Sequence, residues 1–152
     1  MNNLINNNLN IFLTDDDLDD CKFFSDALNE LKINSILTVT SNGVELMDVL
    51  VTVVPPPPYV IFLDLNLPKK NGFECLKEIR DNKKLMNIPV VVLSTSSNRD
   101  FIEQSYKYGA NYYICKPKSF SLLKKSIETV LSLDKKMLST QPSIDKFVLT
   151  HN

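Results

Sequence analysis

The sequence predicts an α/β fold in which helices cover both faces of a parallel β-sheet. Five short runs rich in β-branched and aromatic residues alternate along the chain with stretches long enough to form helices. Strands that are separated by helices cannot pair as hairpins, so a parallel sheet is the economical arrangement. The first, third and fourth runs are apolar almost throughout, as expected of strands that are buried on both sides.

The five predicted strands are identified by their apolar runs. In chain order they are LNIFLT from Leu9, NSILTVT from Asn34, YVIFLD from Tyr59, PVVVLS from Pro89 and NYYICK from Asn111. In an open parallel sheet, ligands bind beyond the carboxyl ends of the strands, where the strand order reverses. We therefore expect the functional residues directly after these runs.

The predicted helices are identified by apolar residues spaced three and four apart. They cover Leu18–Leu31, Val44–Leu50, Phe73–Arg80 and Arg99–Tyr108, and a last helix begins after a Ser119 cap and runs to Leu131. The fourth helix has fewer apolar residues than the others. We therefore expect it to be the element that moves most easily.

A chain of 152 residues with 43% hydrophobic content is enough for one domain and one core. We expect an Asn-rich N-terminal extension over residues 1–8, the domain itself over 9–133, and a C-terminal tail over 134–152. The four prolines at 55–58 predict a stiff spacer before the third strand. The apolar residues of the tail leave two possibilities open, a docked segment and a loosely held terminus.

Composition excludes several classes of function. Seventeen basic and eighteen acidic residues give a formal charge of −1, so we expect no nucleic-acid partner. The chain has neither a signal peptide nor an apolar stretch of membrane-spanning length, and we expect a cytoplasmic protein with no membrane partner. Cys21, Cys75 and Cys115 form no CxxC pair and are expected to be reduced. The only histidine, His151, is next to last, which argues against His-based catalysis and His-ligated metals.

Polar side chains follow four of the predicted strands. Asp15 and Asp16 come after the first strand, Asp64 ends the third, Ser94 ends the fourth and Lys116 follows the fifth. Each has an ordinary explanation by itself, as a turn residue, a helix cap or a solvated charge. Because the strand ends of a parallel sheet open onto one edge, we expect these groups to converge.

The three aspartates at this edge predict a site for a divalent cation. If the first and third strands are neighbours about 4.8 Å apart, Asp15 and Asp16 approach Asp64, and two such charges repel by about 3 kcal/mol. Lys116 supplies only one positive charge, whereas Mg²⁺ supplies two and prefers oxygen ligands. Mg²⁺ also accompanies phosphoryl oxygens, and an aspartate can be a nucleophile toward phosphorus. Asp19 or a neighbouring aspartate is expected instead at the start of the first helix.

Four motifs occur in order: FLTDDD, IFLDLNLPKKNG, PVVVLSTS and GANYYICKP. Together they resemble the receiver domain of bacterial two-component response regulators, from about Leu9 to Leu133. The resemblance implies a flavodoxin-like (βα)5 fold with strand order 2-1-3-4-5. It also assigns roles: Asp15 and Asp16 hold the metal, Asp64 is the phosphoacceptor and a metal ligand, the Asn66 backbone carbonyl is a further ligand, Ser94 is the switch hydroxyl, Tyr113 is the coupled aromatic residue, and Lys116 contacts the phosphate.

The function implied by this resemblance is that of a phosphorelay receiver. Asp64 would accept a phosphoryl group from a histidine kinase or a phosphotransfer protein, with Mg²⁺ as cofactor, and the transfer would be self-catalysed rather than the work of an enzyme. The phosphorylated chain would switch a surface that binds an unknown downstream protein. The chain looks most like the small single-domain regulators associated with phytochromes, which would allow a homodimer through the fourth helix, fifth strand and fifth helix.

Three other interpretations remain open. An aspartate-nucleophile phosphatase also begins with a carboxylate after a buried strand, but it usually has a second acid two residues later, where this chain has Asn66. A flavin-binding module shares the architecture, although the acidic edge disfavours a phosphate-bearing flavin. A degenerate receiver would act only as an interaction module.

Overall fold

A computed structural model of the chain describes residues 8–52 and 57–150. All five predicted strands are present, and a short sixth strand follows them. The strands are β1 Leu9–Thr14, β2 Ser35–Thr40, β3 Val60–Leu63, β4 Val90–Ser94, β5 Tyr112–Cys115 and β6 Val148–Leu149. Residues 1–7 of the predicted N-terminal extension, Pro55 and Pro56 of the predicted spacer, and His151 lie outside the described residues.

The helices begin and end close to their predicted bounds. They are α1 Leu18–Glu30, α2 Gly43–Thr52, α3 Gly72–Asp81, α4 Arg99–Lys107, α5 Phe120–Ser132 and α6 Lys135–Ser139. Side-chain caps explain several of the starts. Asp17 caps α1 by accepting from the backbone N–H groups of Asp19 and Asp20, and Ser119 caps α5 as predicted. The prediction missed α6, a helix of only five residues.

The strands form one sheet in the order β2-β1-β3-β4-β5-β6, and every pair in it is parallel. The predicted order 2-1-3-4-5 is therefore confirmed, with β6 added at the β5 edge. The order reverses between β1 and β3, which are hydrogen bonded neighbours. The carboxyl ends of these two strands consequently border the crevice in which ligands of such sheets bind.

Apolar residues pack on both faces of the sheet, as the uninterrupted apolar strands predicted. On one face, Leu46, Leu76 and Ile79 from α2 and α3 are completely buried. On the other, the Phe24 ring of α1 meets the Phe62 ring of β3 edge to face at 5.0 Å. Two buried layers hold the strands rigidly, so the polar groups at their ends have fixed positions.

The C-terminal segment packs against the domain over the described residues 134–150. Leu138 of α6 and Phe147 have no exposed surface. The Lys135 ammonium donates to the Tyr59 carbonyl at 3.0 Å and lies 4.4 Å from the centre of the Tyr59 ring. Of the two possibilities left open by the sequence, the structure therefore has the docked one. The domain boundary at residue 133 stays a prediction.

Two further points concern the composition. Cys21, Cys75 and Cys115 are free thiols, as expected. Among the described residues, no helix combines the length and the apolar character that crossing a membrane requires.

Candidate metal and phosphoryl site

Hydrogen bonds directly beside the site join the end of β1 to the ends of β2 and β3. The Asp64 backbone N–H donates to the Thr14 carbonyl at 3.0 Å, and the Asp15 N–H donates to the Thr40 carbonyl at 3.0 Å. The Thr14 and Thr40 hydroxyls also bond to each other at 2.8 Å. Asp15 and Asp64 therefore leave the sheet at adjacent and fixed points.

Three carboxylates meet at this edge. Asp15, Asp16 and Asp64 each offer an oxygen, and these atoms lie within 4.8 Å of one another. Asp15 is 2% exposed and Asp64 is 7% exposed, whereas Asp16 is open to solvent. Two carboxylates at this separation repel by about 3 kcal/mol at an effective dielectric of about 20. The cluster therefore requires positive charge nearby.

The Lys116 ammonium supplies part of that charge. It lies 2.7 Å from Asp15 Oδ2 and 3.0 Å from Asp64 Oδ2, and it also lies 2.9 Å from Asp20 Oδ2. The three N–H bonds of the ammonium match these three acceptors. One cation nevertheless faces three carboxylates, and the nearby Asp16 adds a fourth negative charge. Net negative charge remains at the edge of the sheet.

Burial and charge shift the pKa values of this cluster. Burial raises the pKa of Asp15 above its ordinary value, although the hydrogen bonds from Lys116 and the Asp17 backbone oppose the rise. Burial works against the charged form of Lys116, but its hydrogen bonds with Asp15 and Asp20 and the charge of Asp64 raise the Lys116 pKa. Lys116 is therefore a cation at any physiological pH.

Asp20 is the site residue that the sequence analysis missed. Asp19 or a neighbouring aspartate is the residue expected at the start of the first helix, and the structure has Asp17 as the cap of α1 and Asp19 in its first turn. Asp20 lies in the first turn of α1, from where its side chain reaches Lys116. The sequence spacing could have predicted this contact. Side chains in the first turn of a helix tilt toward its N-terminus, and α1 begins at the edge of the sheet.

The loop after β3 fixes the Asp64 carboxylate from the other side. The Asn66 N–H donates to Asp64 Oδ1 at 3.1 Å, so the two oxygens of Asp64 have different partners. The loop returns past Asp64 at Gly72, whose N–H donates to the Leu65 carbonyl at 3.0 Å. A Cβ atom at Gly72 would lie 2.5 Å from the Asp64 carbonyl oxygen, so only glycine permits this approach.

Ser94 and Tyr113 lie next to the cluster and are linked through Ser96. The buried Ser94 hydroxyl accepts from the Ser96 N–H at 3.1 Å, and the Tyr113 hydroxyl donates to the Ser96 carbonyl at 2.7 Å. Burial raises the pKa of the Tyr113 hydroxyl, and hydrogen bonding with Ser94 and Ser96 opposes the rise. Ser96 therefore connects the position of Ser94 to that of the Tyr113 hydroxyl.

The predicted site residues thus converge. Asp15, Asp16, Asp64 and Lys116 form one cluster, with Ser94 at the end of the adjacent β4. Asn66 stands directly beside Asp64, while the metal-ligand role predicted for its carbonyl stays a prediction. The arrangement offers oxygen ligands for a hard divalent cation, among them the Asp64 carboxylate, whose side chain is 10% exposed.

Comparison with known proteins agrees with this geometry. The family described as "Response regulator receiver domain" matches residues 11–128. The chain belongs to the response regulator receiver family. The response regulator Rcp1 of Synechocystis sp. (strain ATCC 27184 / PCC 6803 / Kazusa) is 36% identical over 126 residues, which are 80% of this chain and 86% of Rcp1.

Solved structures of response regulators superimpose on this receiver domain. The phosphorylated cyanobacterial phytochrome response regulator RcpA is 37% identical, with a TM-score of 0.75 over 81% of this chain and 91% of RcpA. The Mn(2+)-bound form of Rcp1 is 34% identical, with a TM-score of 0.75 over 89% of this chain and 99% of that one. The flavodoxin-like receiver fold and the similarity to phytochrome response regulators, both expected from the motifs, are thereby confirmed.

Proposed function

We propose that this receiver domain accepts a phosphoryl group on Asp64 in a Mg²⁺-dependent reaction and thereby switches a protein-binding surface. The observation that carries the proposal is the shared ammonium: Lys116 bridges the two buried carboxylates of Asp15 and Asp64 at 2.7 and 3.0 Å. A cluster made only for stability would balance its charges, because uncompensated buried charge is costly. This one leaves negative charge in excess beside a reachable carboxylate.

The donor set fits a hard divalent cation. Asp15, Asp16 and Asp64 would hold Mg²⁺ together with the Asn66 carbonyl, and all of these ligands are oxygens. When bound, the ion would neutralise charge on the oxygens of the incoming phosphoryl group. The Mn(2+)-bound form of the relative Rcp1 supports a divalent-ion site in this chain as well.

The protein's own groups perform the rest of the transfer. One Asp64 carboxylate oxygen forms a bond to phosphorus while the P–N bond of the donor phosphohistidine breaks, and the bonding electron pair stays on the imidazole nitrogen. Lys116 and the Ser94 hydroxyl donate to phosphoryl oxygens, whose charge they stabilise at fixed positions. The Asn66 N–H orients Asp64 through Oδ1, 3.1 Å away.

The phosphoryl group leaves by hydrolysis. Water attacks phosphorus, the P–O bond to Asp64 breaks, the carboxylate is regenerated, and inorganic phosphate, which now carries the oxygen and protons of the water, is released. Because the domain acts on its own aspartate, it is a switch rather than an enzyme with a separate substrate. While Asp64 is phosphorylated, a phosphoryl oxygen accepts a hydrogen bond from the Ser94 hydroxyl, which stabilises the Ser94–Ser96–Tyr113 connection.

The partners follow from this chemistry. The phosphoryl donor would be a sensor histidine kinase or a phosphotransfer protein. The phosphorylated domain would bind a downstream protein, and the reaction would take place in the cytoplasm. The similarity to RcpA and Rcp1 supports a single receiver domain over residues 9–133 of the phytochrome-associated type. The homodimer expected through α4, β5 and α5 remains part of this proposal.

Incubation with acetyl phosphate and Mg²⁺, followed by intact mass, tests the function. We expect one phosphoryl group per chain, none with a chelator present, and none on Asp64→Asn. Asp26→Asn is the matched control, since Asp26 is an exposed aspartate of α1 paired only with Lys22 among the contacts of the described residues.

Each alternative gives a different result. A mass gain that persists in Asp64→Asn would show that another residue accepts the phosphoryl group. Continuous turnover of a small phosphoester would support the phosphatase instead. No mass gain under any condition would support a degenerate receiver that only binds.

A further inference from the structure

The C-terminal residues 141–149 cover the edge of the domain formed by α4 and β5. Phe147 has no exposed surface, and its ring centroid lies 5.0 Å from that of Tyr106 on α4 and 6.1 Å from that of Tyr113 on β5. Burial of a phenyl ring is stabilising, and an edge-to-face contact adds to it. Phe147 is therefore the principal anchor of this segment.

Hydrogen bonds fix the same segment to the end of α4. The Gln141 side-chain amide donates to the carbonyls of Tyr106 and Ala110, both at 2.8 Å. The Tyr106 hydroxyl donates in turn to the Pro142 carbonyl at 2.6 Å. The Tyr106 carbonyl also accepts from the Gly109 N–H at 3.1 Å, so Gln141 adds a second donor there and joins the end of α4 to the turn that follows it. The segment thus binds α4 specifically, and not only through apolar contact.

A continuous set of contacts joins this segment to the phosphoryl site. Ser94 accepts from the Ser96 N–H, and the Ser96 carbonyl accepts from the Tyr113 hydroxyl at 2.7 Å. The Tyr113 backbone N–H donates to the Phe147 carbonyl at 3.1 Å. Tyr113 itself is completely buried, with its ring inside the edge that Phe147 covers. One residue therefore contacts both the loop after β4 and the docked segment.

We infer that docking of residues 141–149 and phosphorylation of Asp64 stabilise each other, an inference that rests on the proposed function. The Ser94 hydroxyl can donate to a phosphoryl oxygen while it accepts from the Ser96 N–H, because a hydroxyl does both. Phosphorylation would thus retain the Ser94–Ser96 arrangement that the Tyr113 hydroxyl binds. Phe147, packed over Tyr113, holds the same arrangement from the opposite side.

Thermodynamic linkage gives this coupling two measurable signs. If the phosphoryl group favours the docked segment, the docked segment favours the phosphorylated state by the same factor. Residues 141–149 cover the β5 edge, so a protein that binds this edge would contact these residues. A partner selective for the phosphorylated state would read the docked segment as part of its binding site.

Amide exchange at Tyr113, followed by NMR on the full chain, reports docking directly because the acceptor of this N–H is Phe147. We expect exchange to slow about fivefold when acetyl phosphate and Mg²⁺ are added, a factor at the low end for coupled sites. Phe147→Ala should speed this exchange and shorten the lifetime of the phosphorylated state. Ile144→Ala is the control, because Ile144 belongs to the same segment and is 46% exposed.

Tyr106→Phe provides a second and milder test. It removes only the hydroxyl that donates to Pro142 and keeps the ring against Phe147, so folding is preserved and a smaller change in the same direction is expected. Unchanged or faster Tyr113 exchange on phosphorylation would overturn the inference, as would a normal phosphoryl lifetime in both variants. Intact mass separates the two proposals: without any gain of a phosphoryl group, the proposed function fails first and this inference fails with it.

Discussion

Two cations of this domain, Lys116 and Arg80, are largely withdrawn from solvent but have opposite kinds of neighbours. The Lys116 ammonium contacts three carboxylates, from Asp15, Asp20 and Asp64. The Arg80 guanidinium donates only to neutral acceptors among the described residues: the carbonyls of Gly109, Met86 and Ile88, and the side-chain oxygen of Asn111.

The difference separates an adjustable site from a fixed one. Around Arg80 every acceptor is a backbone or amide oxygen whose charge does not change. These hydrogen bonds join α3 to the residues just before β4 and just before β5. Around Lys116 the acceptors are carboxylates that can bind a metal or a phosphoryl group. Burial lowers the pKa of Arg80, whereas the carboxylate contacts raise the pKa of Lys116 against the effect of burial.

Loss of the lysine charge should have the largest effect. In Lys116→Met, Asp15 and Asp64 are left buried without a counter-ion, so we expect the free energy of unfolding to fall by about 3 kcal/mol in a chelator. Mg²⁺ should restore most of this loss, because the ion replaces the missing charge. The rate of phosphorylation should still fall about 100-fold, since the donor to the phosphoryl oxygens is gone.

Urea unfolding with and without Mg²⁺ measures the first effect, and intact mass against time measures the second. Lys22→Met, which removes an exposed lysine paired with Asp26, is the control and should change neither. Equal stability loss in chelator and in Mg²⁺ would show that Lys116 is a structural cation like Arg80.

Loss of the arginine tests the other side of the comparison. Arg80→Met removes the donor from the carbonyls of Gly109, Met86 and Ile88, and we expect the free energy of unfolding to fall by about 2 kcal/mol. The Asn111 side-chain oxygen keeps its hydrogen bond from the Val90 N–H. Because no carboxylate is involved, Mg²⁺ should leave this loss unchanged. The fraction that remains folded should be phosphorylated normally by acetyl phosphate.

Arg99→Met is the matched control, since the Arg99 side chain is 88% exposed and pairs only with Glu103 among the described contacts. Urea titrations of both variants at equal protein concentration suffice. If Mg²⁺ restored the free energy of unfolding that Arg80→Met loses, Arg80 and Lys116 would belong to one electrostatic network.

The raised pKa of Lys116 predicts a pH dependence of intermediate size. In the unfolded chain Lys116 titrates near its ordinary value of 10.5, and in the folded chain it titrates higher. Its stabilising contribution is therefore complete below pH 10.5 and is lost as the pH rises toward the folded-state pKa. Without Mg²⁺, the stability difference between the wild type and Lys116→Met should shrink by about 1 kcal/mol per pH unit in that window.

Two thiols titrate in the same pH range. Burial raises the pKa of Cys21 to about 11 and of Cys75 to about 12, so both thiols also lower stability in alkali. The effect of Cys75 cancels in the difference, but the charge of Lys116 lowers the pKa of Cys21, so both proteins are compared in a Cys21→Ala background. A difference that stays constant with pH would show that the Lys116 pKa is not raised.

The sequence predicted the five-stranded sheet and most of the site for a physical reason. Apolar runs mark buried strands whatever their surroundings, and parallel strands bring their carboxyl ends to one edge. Asp15, Asp64 and Lys116 could therefore be placed together although 101 positions separate Asp15 from Lys116 in the chain.

Residues whose role depends on tertiary contact were not predictable in this way. Phe147 lies in a segment with only two residues of strand, too short for a periodic pattern, and its burial follows from the shape of the α4–β5 edge. Arg80 carries no mark in the sequence that distinguishes it from an exposed arginine at the end of a helix. The position of Asp20 required the exact start of α1, and helix ends are the least certain part of such predictions.

Asp20 gives the smallest expected effect and the finest test of the comparison. Its side chain is 42% exposed, so its pair with Lys116 is partly screened by solvent and contributes less than about 1 kcal/mol to stability. Asp20→Asn still removes one negative charge beside the metal ligands, and we expect Mg²⁺ affinity to fall about threefold at low salt and less at high salt. Titration of the apo protein with Mg²⁺ at two salt concentrations measures this, with the exposed Asp19→Asn as control. If the fall in Mg²⁺ affinity is the same at both salt concentrations, Asp20 acts by holding the Lys116 ammonium in place. If the fall is smaller at high salt, Asp20 acts through its charge, at a site that has more negative charge than Lys116 balances.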